Sequence, residues 1–267
     1  MSHTHDDAVR MTRPILILMY HQVGTLAPLA GSLEEVLMPR ERFARQMAAM
    51  HALGYRGLSL TQLEPYLRGE KKGRVFGVTM DDGYVDCLHH AVPVLQRHGF
   101  SATCFAVSGA AFNEWDASAG VPRLQLMGAL ELKAWIAAGN DVGAHTRTHR
   151  RLPELDDTTA RQEIVGCKQE LEAMTGAEVR HFSYPFGDFL PQHEDMVHEA
   201  GFVTACTSVE RRASRWDPLL ALPRITAYPD TAPWQLWRHA LLGTENLRGW
   251  VRQVRDRRRA AVAVPAA

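Results

Sequence analysis

Two carboxylates in succession, Asp81 and Asp82, close an apolar run and are followed by Gly83. Like charges side by side cost stability unless a cation or hydrogen bonds compensate. Consecutive side chains point apart, so the pair can divide two jobs, and Gly83 lets the backbone turn tightly. Further along, His145 and His149 stand four residues apart. That spacing, on one side of a helical turn, lets two imidazoles converge on one metal ion. With Asp82 they make a two-histidine, one-carboxylate set that leaves a coordination position for water. One divalent ion is expected; zinc fits these donors best, and cobalt or nickel also suit them. A third feature is the turn Pro185-Phe186-Gly187. It can aim the Phe186 backbone N–H at a developing oxyanion. Each feature also has a plain structural reading: a polar helix cap, two loop histidines, an ordinary turn.

The elements that must position these residues alternate between strand and helix. Residues 14–20 are apolar throughout, as in a strand buried on both faces. Residues 39–53 read as a helix through Phe43, Met47 and Met50, and Gly54 stops it. A short strand over 55–60 leads to a helix with Thr61 and Glu64 as its capping box. The strand over 74–80 runs straight into Asp81-Asp82-Gly83, and 84–98 continues as one helix. Strands are expected over 101–107, 140–144, 179–184, 202–207 and 219–225, and helices over 129–138, 158–175 and 190–200. Residues 108–127 form an excursion loop, a kind of segment often tied to function. Such βα repeats imply an α/β fold: a parallel sheet of seven or eight strands, either closed into a (β/α) barrel or left as an incomplete one. Chemistry then belongs at the C-terminal strand ends, where His21, Asp81, Asp82, His145 and the Pro-Phe-Gly turn all fall.

The 267 residues are 46% hydrophobic and 22% charged, with thirty basic residues against thirty acidic. That composition is globular, and a net charge of zero argues against a nucleic-acid partner. Cys87, Cys104, Cys167 and Cys206 are widely spaced, which excludes a Cys-x-x-Cys zinc knuckle and suits reduced thiols in the cytoplasm. No run of about 20 apolar residues is present, so no transmembrane segment is expected. Three regions are expected: a disordered leader (1–12), a catalytic domain (13–230) and a C-terminal basic helical extension (231–267).

Taken together and in order, the motifs resemble the polysaccharide deacetylase family, also called the NodB-homology domain or carbohydrate esterase family 4. The family's Thr-Phe-Asp-Asp-Gly is matched by Thr79 to Gly83 with Met80 in place of Phe. Its His-Ser/Thr-x-x-His is matched in full by His145 to His149, and its Arg-Pro-Pro-Tyr-Gly in part by Ser183 to Gly187. Met19-Tyr20-His21 and Leu222-Pro223-Arg224-Ile225 are similar to segments of bacterial exopolysaccharide deacetylases. The resemblance spans residues 14–229 and implies a distorted, incomplete (β/α) barrel of seven or eight strands, with an N-acetylated carbohydrate as substrate and a divalent metal as cofactor. It implies Asp81 as general base, Asp82, His145 and His149 as metal ligands, and the Phe186 amide as oxyanion donor. Two departures stand out. Ser183 replaces the arginine that often tethers the base, and Arg224 is the candidate substitute. The late Leu-x-x-His segment that carries the family's acid is missing, and His21 is the candidate proton donor.

The expected reaction is metal-assisted hydrolysis of an acetamide, releasing acetate and a free amino sugar. A small non-sugar amide as substrate, and a silent carbohydrate-binding role, remain as alternatives. Trp115 and Tyr184 are candidates to stack on a sugar ring or simply to pack. In the extension, Trp234, Trp237 and Leu241 share one helical face over 231–242. Leu247, Trp250, Val251 and Val254 share another over 245–259, where arginines extend the helix past its apolar face. These faces are expected to pack on the barrel. The other reading is peripheral contact with an anionic membrane or a biosynthetic partner.

Overall fold

In the computed structural model, residues 13–24, 37–119 and 122–242 are described. The expected leader and the second tail helix lie outside them. The chain begins with β1 (Ile17–Tyr20). A small parallel pair follows, β2 (Gln22–Gly24) with β3 (Leu37–Pro39). Next come α1 (Arg40–Ala52), β4 (Arg56–Leu58), α2 (Leu60–Leu67) and β5 (Val75–Met80). Two short helices, α3 (Val85–His90) and α4 (Val92–Arg97), lead to β6 (Thr103–Ala106). Then follow α5 (Ala129–Ala137), β7 (Asp141–Ala144), α6 (Asp157–Thr175), β8 (His181–Ser183) and α7 (Pro191–Glu199). The chain continues through β9 (Thr204–Glu210), β10 (Leu222–Thr226) and α8 (Pro233–Leu242).

All pairings in the main sheet are parallel, and β1 joins both β10 and β5. That second pairing closes a ring of seven strands, with β4 added along the first half of β5. The barrel is thus one strand short of the eight-stranded form. Its register is uneven, with a shift between Leu222 and Arg224.

Side chains of period two sort into two cores. Ile17, Val75, Phe105, Cys206 and Leu222 pack together in the barrel interior. Leu18, Val78, Cys104, Ala144, Phe182 and Ile225, their neighbours of opposite parity, pack under the helices. Gly143 makes room for the Phe105 plug: a Cβ there would stand 2.5 Å from that ring.

Several local expectations need correction. The helix over 84–98 is broken at Ala91, because Pro93 has no N–H to continue the ladder. Thr61 and Glu64 do not form a capping box. The helix starts two residues earlier, after Ser59, and both side chains make other contacts. Thr61 Oγ1 bonds His181, and Glu64 pairs with Arg68 and Arg180. The three-residue strands β2 and β3 are too short to leave an alternation in sequence. In α8 it is Leu236 and His239 that are buried; Trp234, Trp237 and Leu241 are 59%, 39% and 46% exposed. The face expected to pack on the barrel therefore points outward.

Candidate active site

The interior parity of each strand carries one residue past its C-terminal end into a common bowl. Tyr20 pairs with Met80, so His21 and Asp81 emerge side by side, and the Asp81 N–H bonds the Tyr20 carbonyl at 2.9 Å. Ala106 pairs with Ala144 and Ala144 with Phe182, which sets His145 beside Ser183.

Asp82, His145 and His149 come together, all buried, with one ligand atom of each within 4.8 Å of the others. Asp82 Oδ1 stands 3.5 Å from His145 Nε2 and 3.3 Å from His149 Nε2. It is buried and has no hydrogen-bond partner among the described residues. An orphaned carboxylate oxygen facing two imidazole nitrogens fits a divalent ion. Burial pushes the Asp82 carboxyl up, but the His145 and His149 imidazoles outweigh it and hold it well below the usual range. His145 Nδ1 lies 2.7 Å from the Ser183 carbonyl. A carbonyl only accepts, so Nδ1 carries the proton and Nε2 is left free to ligate.

The two histidines do not converge on a helical turn as expected. Residues 145–151 form a loop in which Thr146 (φ 64°) and His149 (φ 57°) are left-handed. Glu163 of α6 holds this loop, accepting from Thr148 N at 2.8 Å and Thr148 Oγ1 at 2.7 Å. Asp82 (φ 72°) and Phe186 (φ 61°) complete the set of described non-glycine residues with positive φ. All four belong to this bowl, where strained backbone is held by its surroundings.

Asp81 is gripped by Arg224, whose side chain is fully buried. Nη1 donates to Oδ1 at 2.6 Å and Nη2 to Oδ2 at 2.7 Å. The guanidinium also donates to the Thr207 carbonyl, Thr79 Oγ1 and Ser183 Oγ. Burial raises the Asp81 carboxyl, yet Arg224 prevails and keeps it below its ordinary value. Ser183, at the position of the often-found arginine, thus becomes a support for Arg224. Thr79 and Glu163 also escaped sequence reasoning; each acts through a partner far along the chain.

Phe186 sits in the Pro-Phe-Gly turn, 43% exposed, with its ring 4.7 Å from that of His149. Arg151 lies over the outer ring at 4.0 Å and pairs with Asp188. His21 is half-buried and emerges beside Asp81. Trp115 stacks on His149. Tyr184 is no rim residue: it is buried, stacked on Phe189, with its hydroxyl donating to the Leu220 carbonyl.

A family model described as "Polysaccharide deacetylase" matches residues 68–205. YxkH of Bacillus subtilis (strain 168), which carries the same family's name, is 25% identical over 215 residues, covering 80% of this chain and 71% of that protein. Among solved structures, the Streptococcus pyogenes deacetylase PplD, in complex with acetate, superposes with a TM-score of 0.75 at 22% identity, covering 85% of this chain and 98% of its own. IcaB from Ammonifex degensii gives a TM-score of 0.69 at 22% identity, covering 86% and 98%. At these identities the two structures show a shared fold.

Proposed function

The chain belongs to the polysaccharide deacetylase family, hydrolases of N-acetyl amide bonds in polysaccharides, and from that premise we propose that it removes N-acetyl groups from amino sugars of a poly- or oligosaccharide. The carrying observation is the convergence of Asp82, His145 and His149 beside an Asp81 held by Arg224. Those three residues would hold one divalent ion, with zinc favoured by the donor set and cobalt or nickel also suited to it. Such an ion supplies Lewis acidity toward the acetamide carbonyl and toward a water.

Asp81 is the base. Arg224 occupies one lone pair on each oxygen and leaves others to accept the water's proton. The same grip keeps the carboxyl ionised and fixes its direction. The Phe186 N–H donates to the oxyanion, in a turn whose left-handed backbone sets its aim. His21 delivers a proton to the departing amine; its place beside Asp81 at the end of β1 supports this role. The Tyr20-His21 and Leu222-Pro223-Arg224-Ile225 segments favour an exopolysaccharide as substrate. All four cysteines are free and buried, in keeping with a reducing, cytoplasmic setting. Among the described residues no helix is long and apolar enough to cross a membrane.

Metal content and acetate release, measured together on N-acetylglucosamine oligomers and acetylated polymers, test this reading. Wild-type protein should hold one ion per chain and release acetate. His145→Ala should lose both. Asp81→Asn should keep the ion and lose turnover by about 10²-fold or more. Full metal content in His145→Ala, or near-normal turnover in Asp81→Asn, contradicts the assignment.

A further inference from the structure

A metal-binding imidazole is ordinarily held in orientation by a hydrogen bond at the nitrogen facing away from the metal. His145 follows that rule through the Ser183 carbonyl. His149 does not: its Nδ1 is buried and has no hydrogen-bond partner among the described residues. Its backbone is held, since the N–H donates to Thr146 Oγ1 at 3.0 Å, but that bond leaves the ring free to rotate about χ2. What restrains the ring is aromatic packing. Trp115 lies against it with centroids 4.3 Å apart and planes at 26°, and Phe186 meets it edge-on at 4.7 Å.

Trp115 is delivered by the excursion between β6 and α5, and this loop is fastened to the other ligand segment. Met127 N–H donates to the Gly83 carbonyl at 2.7 Å, Val85 N–H to the Gln125 carbonyl at 3.1 Å, and Tyr84 bridges to Leu126. Nearer the indole, Asn113 Oδ1 accepts from Leu124 N–H at 2.6 Å. The base of the loop is thus tied to the residues directly after Asp82, while its tip reaches His149.

We propose that Trp115 is a positioning residue for the metal centre, its indole face setting the rotation of the His149 ring as the Ser183 carbonyl sets that of His145. The inference rests on the reading that Asp82, His145 and His149 hold the ion. With the indole removed, the imidazole must be ordered when the ion binds, and affinity falls by the cost of that ordering. A flat ring at position 115 can substitute; an aliphatic chain of similar bulk cannot.

The test is titration of the full-length, metal-free protein with Co²⁺, read by its d–d absorption, with Zn²⁺ affinity from chelator competition. Wild type, Trp115→Phe, Trp115→Leu and His145→Ala are compared, with thermal unfolding of each metal-free protein as the fold control. Trp115→Leu should bind about 10-fold or more weakly with a shifted absorption band, and Trp115→Phe should recover most of the affinity. Equal affinity and band in the Leu and Phe variants overturn the proposal, because bulk alone then suffices. Wild type binding Co²⁺ no better than His145→Ala overturns the metal reading itself, and the proposal with it.

Discussion

Asp81 and Arg224 are 143 positions apart, and their side chains are buried against each other. Burying opposite charges together is tolerable only with good geometry and every remaining polar atom satisfied. Here the fork is bidentate, and its other N–H groups reach Thr207, Thr79 and Ser183. Arg224→Ala should therefore destabilise the protein by about 3–5 kcal/mol in urea unfolding, since Asp81 is left buried and unpaired. A loss under about 1 kcal/mol would show that solvent reaches the carboxylate. Arg224→Lys keeps a charge but not the fork, so turnover should still fall about 10-fold or more even where the fold survives. His21 makes a separate claim: His21→Ala should slow acetamide hydrolysis more than that of activated esters, whose leaving groups need no proton. Equal losses on both substrates would assign it a structural task. At this scale the convergence of Asp82, His145 and His149 was legible because each motif is contiguous. The supports were not: nothing near Ser183, Thr79 or Glu163 in sequence announces a partner 15 to 145 residues away.

Strands were read correctly wherever a buried run was long enough to stand out, and their C-terminal ends bring the residues expected there into one bowl. Loop conformation was not legible, because a left-handed Thr146 or His149 is imposed by surrounding contacts rather than by local preference. The Pro-Phe-Gly turn gives a test. Gly187 has φ +76°, and an added Cβ would come within 2.6 Å of the Ser208 backbone nitrogen. Gly187→Ala must shift the turn and with it the Phe186 N–H, so turnover should drop about 10-fold or more while metal content is retained. Unchanged turnover would remove that N–H from the reaction. The lower part of the barrel carries a pH-dependent element. His181 bonds Thr61 Oγ1 at 2.9 Å and Thr204 Oγ1 at 2.8 Å, and burial pushes its pKa from 6.5 down to about 4. Between those values the unfolded chain binds a proton that the folded one refuses. Stability from this group is full above about pH 6.5 and is lost as pH falls toward about 4. From pH 7.5 to pH 5, wild type should lose up to about 2 kcal/mol more than His181→Gln. Parallel pH profiles for the two proteins would show that His181 is protonated as easily inside as outside.

On the scale of the molecule, a seven-stranded ring closed by β1 and β5 gathers the strand ends that lead to Asp81, Asp82 and His145 at one mouth, and α8 packs along α1 outside it. Gln46 of α1 donates to the Thr231 carbonyl at 2.9 Å, and Arg212 donates to the Ala240 carbonyl at 2.9 Å, so both ends of the α8 region are tied down. Held this way, the helix buries Leu236 and turns Trp234, Trp237 and Leu241 to solvent. Helical spacing pointed to the other face, because the buried one pairs Leu236 with the polar His239 and is the less apolar of the two. The chain beyond residue 242 adds Trp250 and six arginines between Arg248 and Arg259. Tryptophan at an exposed helix face with arginines close behind is the composition that favours the headgroup region of an anionic bilayer. Each basic residue near such a surface contributes about 1 kcal/mol, weakened by salt. Full-length protein should therefore co-sediment with phosphatidylglycerol vesicles at low salt and much less with phosphatidylcholine. Truncation after Leu242 should remove the charge-dependent part, and Trp234→Ser with Trp237→Ser should weaken what remains. Failure of the full-length protein to sediment at low salt, or equal binding after truncation, would mean that the tail serves no membrane contact and that the exposed tryptophans face another protein surface or solvent.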